Sequence, residues 1–160
     1  MIKSENCIAT FYMAFKELDA ETMVSCYHEE VQFEDPAFGM LDGVRAKNMW
    51  RMLCSSQQGR DFIVAVSDIS CDSQTGKAHW EAFYTFSKTG RKVHNIIDAK
   101  FELKDGKIIR HTDRFSLYRW AKQAFGISGL LLGWTPFFRK KLQRQTNRLL
   151  DKFEQKVGDT

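Results

Sequence analysis

The sequence predicts one α+β domain in which N-terminal helices wrap a curved antiparallel sheet and enclose an apolar pocket. Residues before position 60 place apolar side chains at helical spacing, whereas residues 61–118 alternate apolar and polar side chains between short turn signals. The chain has 160 residues, of which 43% are hydrophobic and 28% charged, as in a globular protein that buries a substantial core. Helices followed by linked strands favour packing of the helices on one face of the sheet.

Three helices and one short strand are predicted before residue 60. The first helix carries apolar residues from Ile8 to Leu18, and Asp19 is a good cap for a short second helix that carries Met23, Val24 and Tyr27. A short strand, VQFEDP, is stopped by Pro36, which has no N–H to donate to a strand ladder. A third helix begins at Asp42-Gly43, and we expect its buried side to hold Val44, Met49, Trp50 and Leu53.

Four long strands follow, over residues 61–71, 78–87, 91–103 and 107–118. Short turns separate them, and each turn contains a glycine: Gly76, Gly90 and Gly106. This spacing predicts an antiparallel meander. We therefore expect residues 1–120 to form the main domain and residues 121–160 a helical extension that packs on it or on a dimer partner.

The predicted extension consists of an apolar, glycine-broken segment and a final helix. One side of this helix carries Phe138, Leu142, Leu149 and Phe153, and the other side carries bases. The segment from Arg139 to Lys156 contains seven bases but only two acids, Asp151 and Glu154. We interpret this basic side of the helix as its solvent-exposed side. Apolar area on the outer sheet face and in the extension predicts a homodimer. Docking of the extension on a partner or on an anionic membrane surface is an alternative.

Composition and motifs exclude several classes of protein. The chain has no recognised nucleic-acid motif, so no nucleic-acid partner is predicted. No apolar stretch is long enough for stable membrane insertion, and polar residues interrupt the N-terminus where a signal peptide would be apolar, so we expect a cytoplasmic protein. The four cysteines lack CxxC spacing, which favours small buried thiols over disulfides or zinc ligands. No glycine-rich phosphate loop follows a strand, so no organic cofactor is predicted. A metal site built from His111, Asp113 and Asp35 is formally possible, but nothing in their spacing requires one, so no metal is predicted.

The last predicted strand carries the most informative pattern in the chain. Its buried face holds Ile109, His111, Asp113, Phe115 and Leu117, so a histidine and an aspartate lie side by side among apolar residues. Ionisable groups in such a place are costly unless they are paired or functional. The pair could therefore be catalytic, or it could be a buried hydrogen-bonded pair that fixes strand register.

Asp35 is the third candidate, because it shares a face with Phe33 at the end of the short strand. Its alternative role is that of a turn residue whose carboxylate accepts backbone N–H groups around Pro36. Alternation in the neighbouring strands turns Asp98 outward and adds further side chains to the interior. The predicted pocket lining comprises Phe11, Tyr27, Phe33, Trp50, Trp80, Tyr84, Asn95, Ile97 and Phe115.

Three strings, FYMAFKELDAETMVSCYHEEVQFEDP, LDGVRAKNMW and FELKDGKIIRHTDRFSLYRW, resemble the nuclear-transport-factor-2-like superfamily. This superfamily includes ketosteroid isomerases, limonene epoxide hydrolases and SnoaL-like polyketide cyclases, and the resemblance implies its cone-shaped fold. The EDP string is similar to the isomerase segment that carries the proton-shuttling aspartate, which implies that role for Asp35. The isomerases' first-helix tyrosine corresponds to Phe11, and we expect Tyr12 to point elsewhere.

The HTDRFSL string resembles the strand that bears the acid/base aspartate of the epoxide hydrolases and cyclases, which implies that role for Asp113. The hydrolases also need an Arg and an Asp where this chain has Trp80 and Ala82, which argues against epoxide hydrolysis. The resemblance thus implies isomerase- or cyclase-type proton transfer on a hydrophobic, carbonyl-bearing molecule, with Asp113 and Asp35 as acid/bases and His111 as orienter or donor. A pocket that binds a ligand without chemistry, and an interaction module built on the extension, are the alternatives.

Overall fold

A computed structural model describes residues 6–159, which form the predicted α+β fold around a curved six-stranded sheet. Residues 1–5 of the predicted main domain and Thr160 of the predicted extension lie outside the described residues. The elements are α1 (Cys7–Lys16), α2 (Ala20–Ser25), β1 (Tyr27–Asp35), β2 (Gly39–Asp42), α3 (Gly43–Gln57), β3 (Ile63–Cys71), β4 (Thr75–Phe86), β5 (Arg91–Lys104), β6 (Lys107–Arg114), α4 (Leu117–Phe125), α5 (Ile127–Leu132) and α6 (Pro136–Gly158).

The N-terminal helices begin at residues that cap them. The Asn6 side chain accepts hydrogen bonds from the N–H groups of Ile8 and Ala9, and Asp19 caps α2 by accepting from Thr22 at 3.1 Å. The prediction that Tyr27 belongs to the second helix is wrong, because α2 ends at Ser25 and Tyr27 begins β1. Tyr27 nevertheless points into the core, where it is almost completely buried.

Helix α3 buries a stripe made by Ala46, Met49, Trp50 and Cys54. The prediction that Val44 is buried is wrong, since its side chain is 68% exposed. Successive helical residues are rotated by about 100°, so a residue two positions before Ala46 lies on the far side of the stripe. Leu53 lies within the angular range of the stripe and is half-buried.

The sheet has the strand order β2-β1-β6-β5-β4-β3. The predicted meander is confirmed for β3 to β6, which pair antiparallel in sequence order. The sheet also contains the hairpin strand β2, which no pattern in the sequence predicts, and a parallel pairing of β1 with β6 that sets Phe33 beside His111.

Strand β6 differs from its prediction in two respects. It ends at Arg114 and not at Tyr118, because the Ser116 side chain caps α4 by accepting from the N–H of Arg119. The partner of Glu102 is Arg110 whereas that of Leu103 is Ile108, so Ile109 is the extra residue of a β-bulge. The bulge turns the fully buried Ile108 inward and leaves Ile109 half-buried, while His111 and Asp113 keep their predicted inward direction.

The C-terminal helices cover one end of the sheet. Helix α4 spans residue 120, the predicted boundary between the main domain and the extension. Together with α6 it buries a second apolar cluster that includes Val93, Trp120 and Leu142. Leu150 is the other buried residue of α6, whereas Leu149, which we expected on the apolar side, is 56% exposed. Among residues 6–159 no helix is long and apolar enough to cross a membrane.

The four cysteines are free thiols in different surroundings. Cys26 and Cys54 are buried, Cys7 is half-buried and Cys71 is exposed. Burial raises the pKa of the Cys26 and Cys54 thiols to about 11, which keeps both in the unreactive protonated form at neutral pH. The expectation of small buried thiols therefore describes Cys26 and Cys54 but not Cys71.

Candidate functional site

Four side chains form a buried relay of hydrogen bonds between α3 and β6. The Trp50 indole Nε1–H donates to the Tyr27 hydroxyl at 2.7 Å, and this hydroxyl is 2.7 Å from His111 Nδ1. His111 Nε2 is in turn 2.9 Å from Asp113 Oδ1. The relay thus joins three elements, α3, β1 and β6, and ends on a carboxylate.

The relay determines which nitrogen of His111 carries the proton. An indole N–H can only donate, so the Tyr27 oxygen accepts from Trp50 and its own proton is directed to His111 Nδ1. Nδ1 is then the acceptor, and the neutral imidazole carries its proton on Nε2, from which it donates to Asp113 Oδ1. A protonated imidazole would leave the Tyr27 hydroxyl proton without an acceptor among the described residues.

His111 is fully enclosed by aromatic rings. Phe33 and Phe11 approach it edge-on, with centroid distances of 5.1 Å and 5.5 Å, and Trp50 stacks on it at 5.9 Å. Its exposed fraction is zero and both ring nitrogens are hydrogen-bonded. His111 can therefore orient Asp113, but it has no free atom to offer a bound molecule.

Asp113 is bonded through one oxygen only. Oδ1 accepts from His111 and, at 3.4 Å, from the Trp80 indole N–H, whereas none of the described hydrogen bonds involves Oδ2. Asp113 keeps a small exposed fraction of 4%, in contrast to His111 one step deeper in the sheet. The arrangement holds the carboxylate rigidly and leaves one oxygen available.

Tyr12 supplies a buried hydroxyl that is not among the predicted site residues. The resemblance implied only that Tyr12 points elsewhere than the isomerases' first-helix tyrosine; the side chain is fully buried, and its ring lies 6.2 Å from those of both Trp80 and Phe101. Its hydroxyl has no hydrogen-bond partner among the described residues. Burial raises the pKa of Tyr12 well above its usual value, and the Asp113 charge raises it further, so the hydroxyl stays protonated beside the carboxylate.

Asp35 forms the turn at the end of β1. Its Oδ1 accepts from the N–H groups of Ala37, at 2.9 Å, and Phe38, at 2.6 Å, as the alternative role of a turn residue requires. Burial nevertheless raises the pKa of Asp35 to about 7, the Asp113 charge adds to the rise, and the two N–H groups oppose it. Asp35 therefore exchanges protons near neutral pH.

Helix α6 fixes this turn from the outside. The side chains of Gln143, Thr146 and Asn147 donate hydrogen bonds of 2.8–3.1 Å to the carbonyls of Pro36, Ala37 and Phe38, respectively. Three successive peptide groups that follow Asp35 are therefore held by the C-terminal extension. No local motif reveals this contact, because the partners are more than 100 residues apart in sequence.

The remaining predicted pocket residues divide between a packed and an open region. Ile97 and Trp80 are paired across β5 and β4 and are both buried, and the Trp80 indole N–H reaches Asp113. Tyr84, Asn95 and Phe115 are half-buried further along the sheet, where the Trp120 indole N–H donates to the Tyr84 hydroxyl at 2.8 Å. Phe115 reaches this region from the segment that follows β6.

Two hollows open elsewhere on the surface. The larger, of about 680 Å³, lies on the outer sheet face and is lined by mixed charges that include Lys100, Glu102 and Arg110. The smaller, of about 390 Å³, is bordered by Tyr27 at its edge and otherwise by residues outside the predicted pocket. The enclosed pocket thus stays a prediction. Asp98, which alternation turned outward, is exposed and lies 2.8 Å from His79.

Comparison with solved structures identifies the fold. An LEH-like epoxide hydrolase from M. tuberculosis is 21% identical, with a TM-score of 0.60 over 80% of this chain and 94% of that chain. A candidate polyketide cyclase from Xanthomonas campestris is 17% identical, with a TM-score of 0.60 over 76% and 96%. A protein of ketosteroid isomerase-like fold from Catenulispora acidiphila is 11% identical, with a TM-score of 0.63 over 82% and 98%. Identities this low show the fold alone.

The chain therefore has the NTF2-like cone fold. A family model for the SnoaL-like domain matches residues 8–111, and the chain belongs to that family. A search of curated proteins finds no significant match. The matched range includes the relay residues Tyr27, Trp50 and His111 but stops just before Asp113.

Proposed function

We propose that the protein binds a small hydrophobic, carbonyl-bearing molecule beside Asp113 and catalyses proton transfer at the carbon next to the carbonyl. One observation carries this proposal: the Asp113 carboxylate, held through Oδ1 alone, is close enough to the buried, unpaired Tyr12 hydroxyl for its charge to raise the pKa of that hydroxyl. A buried hydroxyl without a partner costs about 1–3 kcal/mol, so a purely structural interior favours its removal. An acceptor supplied by a ligand carbonyl would satisfy it.

The reaction step follows from these two groups. Oδ2 of Asp113 removes the proton from the C–H bond, and the electron pair of that bond moves toward the carbonyl to form an enolate. The enolate oxygen accepts a hydrogen bond from the Tyr12 hydroxyl, which stabilises the developing charge. Return of the proton to another carbon completes an isomerisation. Attack of the enolate carbon on a second carbonyl, with the proton on Asp113 passing to the new alkoxide oxygen, completes an aldol cyclisation.

His111 and Asp35 have supporting roles in this proposal. His111 is a positioning residue, because its Nε2–H holds the Asp113 carboxylate and its own atoms are enclosed. Asp35 exchanges protons near pH 7 and is electrostatically coupled to Asp113, so it suits the transfer of a proton to or from solvent. The solved structures named as candidate polyketide cyclases support the same class of chemistry for this fold.

The alternative is a binding module without chemistry. The close packing of Phe11, Phe33 and Trp50 around His111 favours it, because this packing gives the relay a structural use. In that case the half-buried end around Tyr84 and Asn95 would hold the ligand, and Asp113 would only hydrogen-bond to it.

Deuterium exchange distinguishes the two functions. The probe is 2-tetralone, a hydrophobic aromatic ketone with acidic C–H bonds beside its carbonyl, and exchange in D₂O is followed by proton NMR. We expect the protein to accelerate exchange and Asp113→Asn to reduce this acceleration by at least about 100-fold, the usual contribution of a general base. The amide retains an oxygen that accepts from His111 and Trp80, so the fold should be preserved.

Asp98→Asn is the matched control, because it makes the same chemical change at an exposed position of β5. It should leave the exchange rate unchanged. A protein that binds 2-tetralone without any acceleration of exchange would support the binding module and contradict catalysis. Equal rates for the wild type and Asp113→Asn would exclude Asp113 as the base.

A further inference from the structure

An exposed apolar tip projects from the C-terminal extension. It consists of six large side chains, each at least half exposed: Ile127, Leu130, Leu131, Leu132, Trp134 and Phe137. They fall within eleven consecutive residues and span α5, the turn after it and the start of α6. Exposed apolar groups that cluster in this way mark interaction sites, whereas single ones do not.

Helix α5 has the reverse of the usual amphipathic arrangement. Its protein-facing side carries Gly129, followed by Gly133, and both pack against Ala121 of α4 so closely that an added methyl group would overlap it. The large side chains Leu130, Leu131 and Leu132 face solvent instead. The two glycines therefore allow α5 to pack closely against α4, and this packing directs the apolar tip toward solvent.

The tip lies in the only long basic region of the chain. Residues 114–150 contain eight of the 24 bases and none of the 20 acids. All eight bases are exposed, and none forms an ion pair within the described residues: Arg114, Arg119, Lys122, Arg139, Lys140, Lys141, Arg144 and Arg148. The part of the chain outside this region carries more acids than bases, so the positive charge is confined to the surroundings of the tip.

We propose that this tip docks the protein on an anionic lipid bilayer, with its apolar side chains among the acyl chains at the interface and the surrounding bases against the headgroups. Apolar insertion combined with basic flanks is the pattern of peripheral membrane binding. Trp134 suits the boundary between headgroups and acyl chains, since indole is apolar with one polar N–H.

The charge distribution favours a bilayer over other occupants. A second copy docked through the same patch would bring two acid-free basic regions together, because a twofold interface pairs each patch with itself. A nucleic acid would attract the bases but would offer no apolar phase for four aliphatic side chains. Lipid headgroups and acyl chains match both features at once.

Vesicle flotation with the full chain tests the proposal, using phosphatidylcholine vesicles with and without phosphatidylserine. Trp50, Trp80 and Trp120 are buried and Trp134 is 69% exposed, so its emission should shift to shorter wavelength when the tip enters the bilayer. We expect binding only to the vesicles that contain phosphatidylserine. Binding should weaken at 1 M salt, where the screening length falls from about 10 Å to about 3 Å.

Two pairs of variants separate the apolar and the charged contributions. Leu131→Ser should reduce binding, whereas Ile63→Ser, a similarly exposed aliphatic residue on β3, should not. The double variant Lys140→Gln/Lys141→Gln should weaken binding about fivefold for each base removed. Lys77→Gln/Lys100→Gln removes the same charge from the outer sheet face and should have no effect on binding.

Three results would overturn the proposal. The first is absence of binding to either kind of vesicle. If native mass spectra then show dimers that Leu131→Ser dissociates, the tip is assigned to a second copy. The second is equal binding to both kinds of vesicle, which would remove the role of the bases. The third is equal loss of binding in the Lys77/Lys100 and Lys140/Lys141 variants, which would show an effect of net charge alone.

Discussion

The substitution Asp35→Asn should make the protein more stable at pH 8 but not at pH 4. Burial raises the pKa of Asp35 from an ordinary value of 3.8 to about 7, so in the folded state the proton is held more tightly than in the unfolded state. Below pH 3.8 both states are protonated and Asp35 has no effect on stability. As the pH rises from about 4 to 7, the unfolded state ionises first, and the wild type loses stability until the folded carboxyl also ionises.

The size of this loss follows from the pKa difference. About three pH units at about 1.4 kcal/mol each give an upper limit of about 4 kcal/mol. The side chain keeps some contact with solvent, which screens its charge, so we expect a gain of about 2 kcal/mol for Asp35→Asn above pH 7. The amide oxygen of the variant can still accept from Ala37 and Phe38, so the turn itself should persist.

Urea unfolding at pH 4, 5, 6, 7 and 8 measures this difference between the wild type and Asp35→Asn. Asp42→Asn, which removes one negative charge from an exposed side chain that has no hydrogen-bond or ion-pair partner among the described residues, controls for net charge. The difference in the free energy of unfolding should grow steadily between pH 4 and pH 7 and then remain constant. A difference that is the same at every pH, or one that grows as the pH falls, would refute the assignment of a buried, proton-binding carboxyl.

Three further substitutions test other parts of the structure. Tyr27→Phe removes the hydroxyl that links Trp50 to His111 and leaves the Trp50 indole N–H and His111 Nδ1 buried without a partner. Urea unfolding should show a free energy of unfolding lower by about 2–4 kcal/mol, and unchanged stability would contradict the relay. Tyr12→Phe removes a hydroxyl without a partner and should leave stability unchanged or raise it by about 1 kcal/mol, whereas a clear loss would show that the hydroxyl is bonded. Gly129→Ala should reduce the free energy of unfolding by about 1–3 kcal/mol and lower the melting temperature, because the added methyl group would overlap the Ala121 carbonyl. Gly158→Ala is the control, since its methyl group would contact no other atom. Equal melting curves for Gly129→Ala and the wild type would contradict the packing of α5 on α4.

Alternation was sufficient to predict the inner face of the sheet. Strand residues two apart share a face, so the inward direction of His111 and Asp113, and the outward direction of Asp98, followed from their positions between turn signals. The same rule failed at Ile109, because a β-bulge adds one residue to β6 and changes the face of everything before it. A bulge depends on pairing with β5 and leaves no local signal in the sequence.

The rest of the candidate site depends on contacts between distant elements. The direction of Tyr12 is set by the rotation of α1 against the sheet, and both Phe11 and Tyr12 are buried there, so helical periodicity alone could not distinguish them. Tyr27 was predicted in the pocket lining but on the wrong element, because α2 ends at Ser25, two residues earlier than its apolar pattern indicated, and Tyr27 begins β1. The hold of α6 on the Asp35 turn connects residues more than 100 positions apart, beyond the reach of any pattern in the sequence.

A double-mutant cycle on deuterium exchange into 2-tetralone tests most directly whether Asp113 and Tyr12 act on one bound carbonyl. Tyr12→Phe alone should reduce the acceleration of exchange by at least about tenfold, and Asp113→Asn alone by at least about 100-fold. The double variant should exchange no more slowly than Asp113→Asn, because the hydroxyl has no enolate to stabilise once the base is absent. Wild-type exchange rates in either single variant, with the fold intact, would contradict a shared catalytic site.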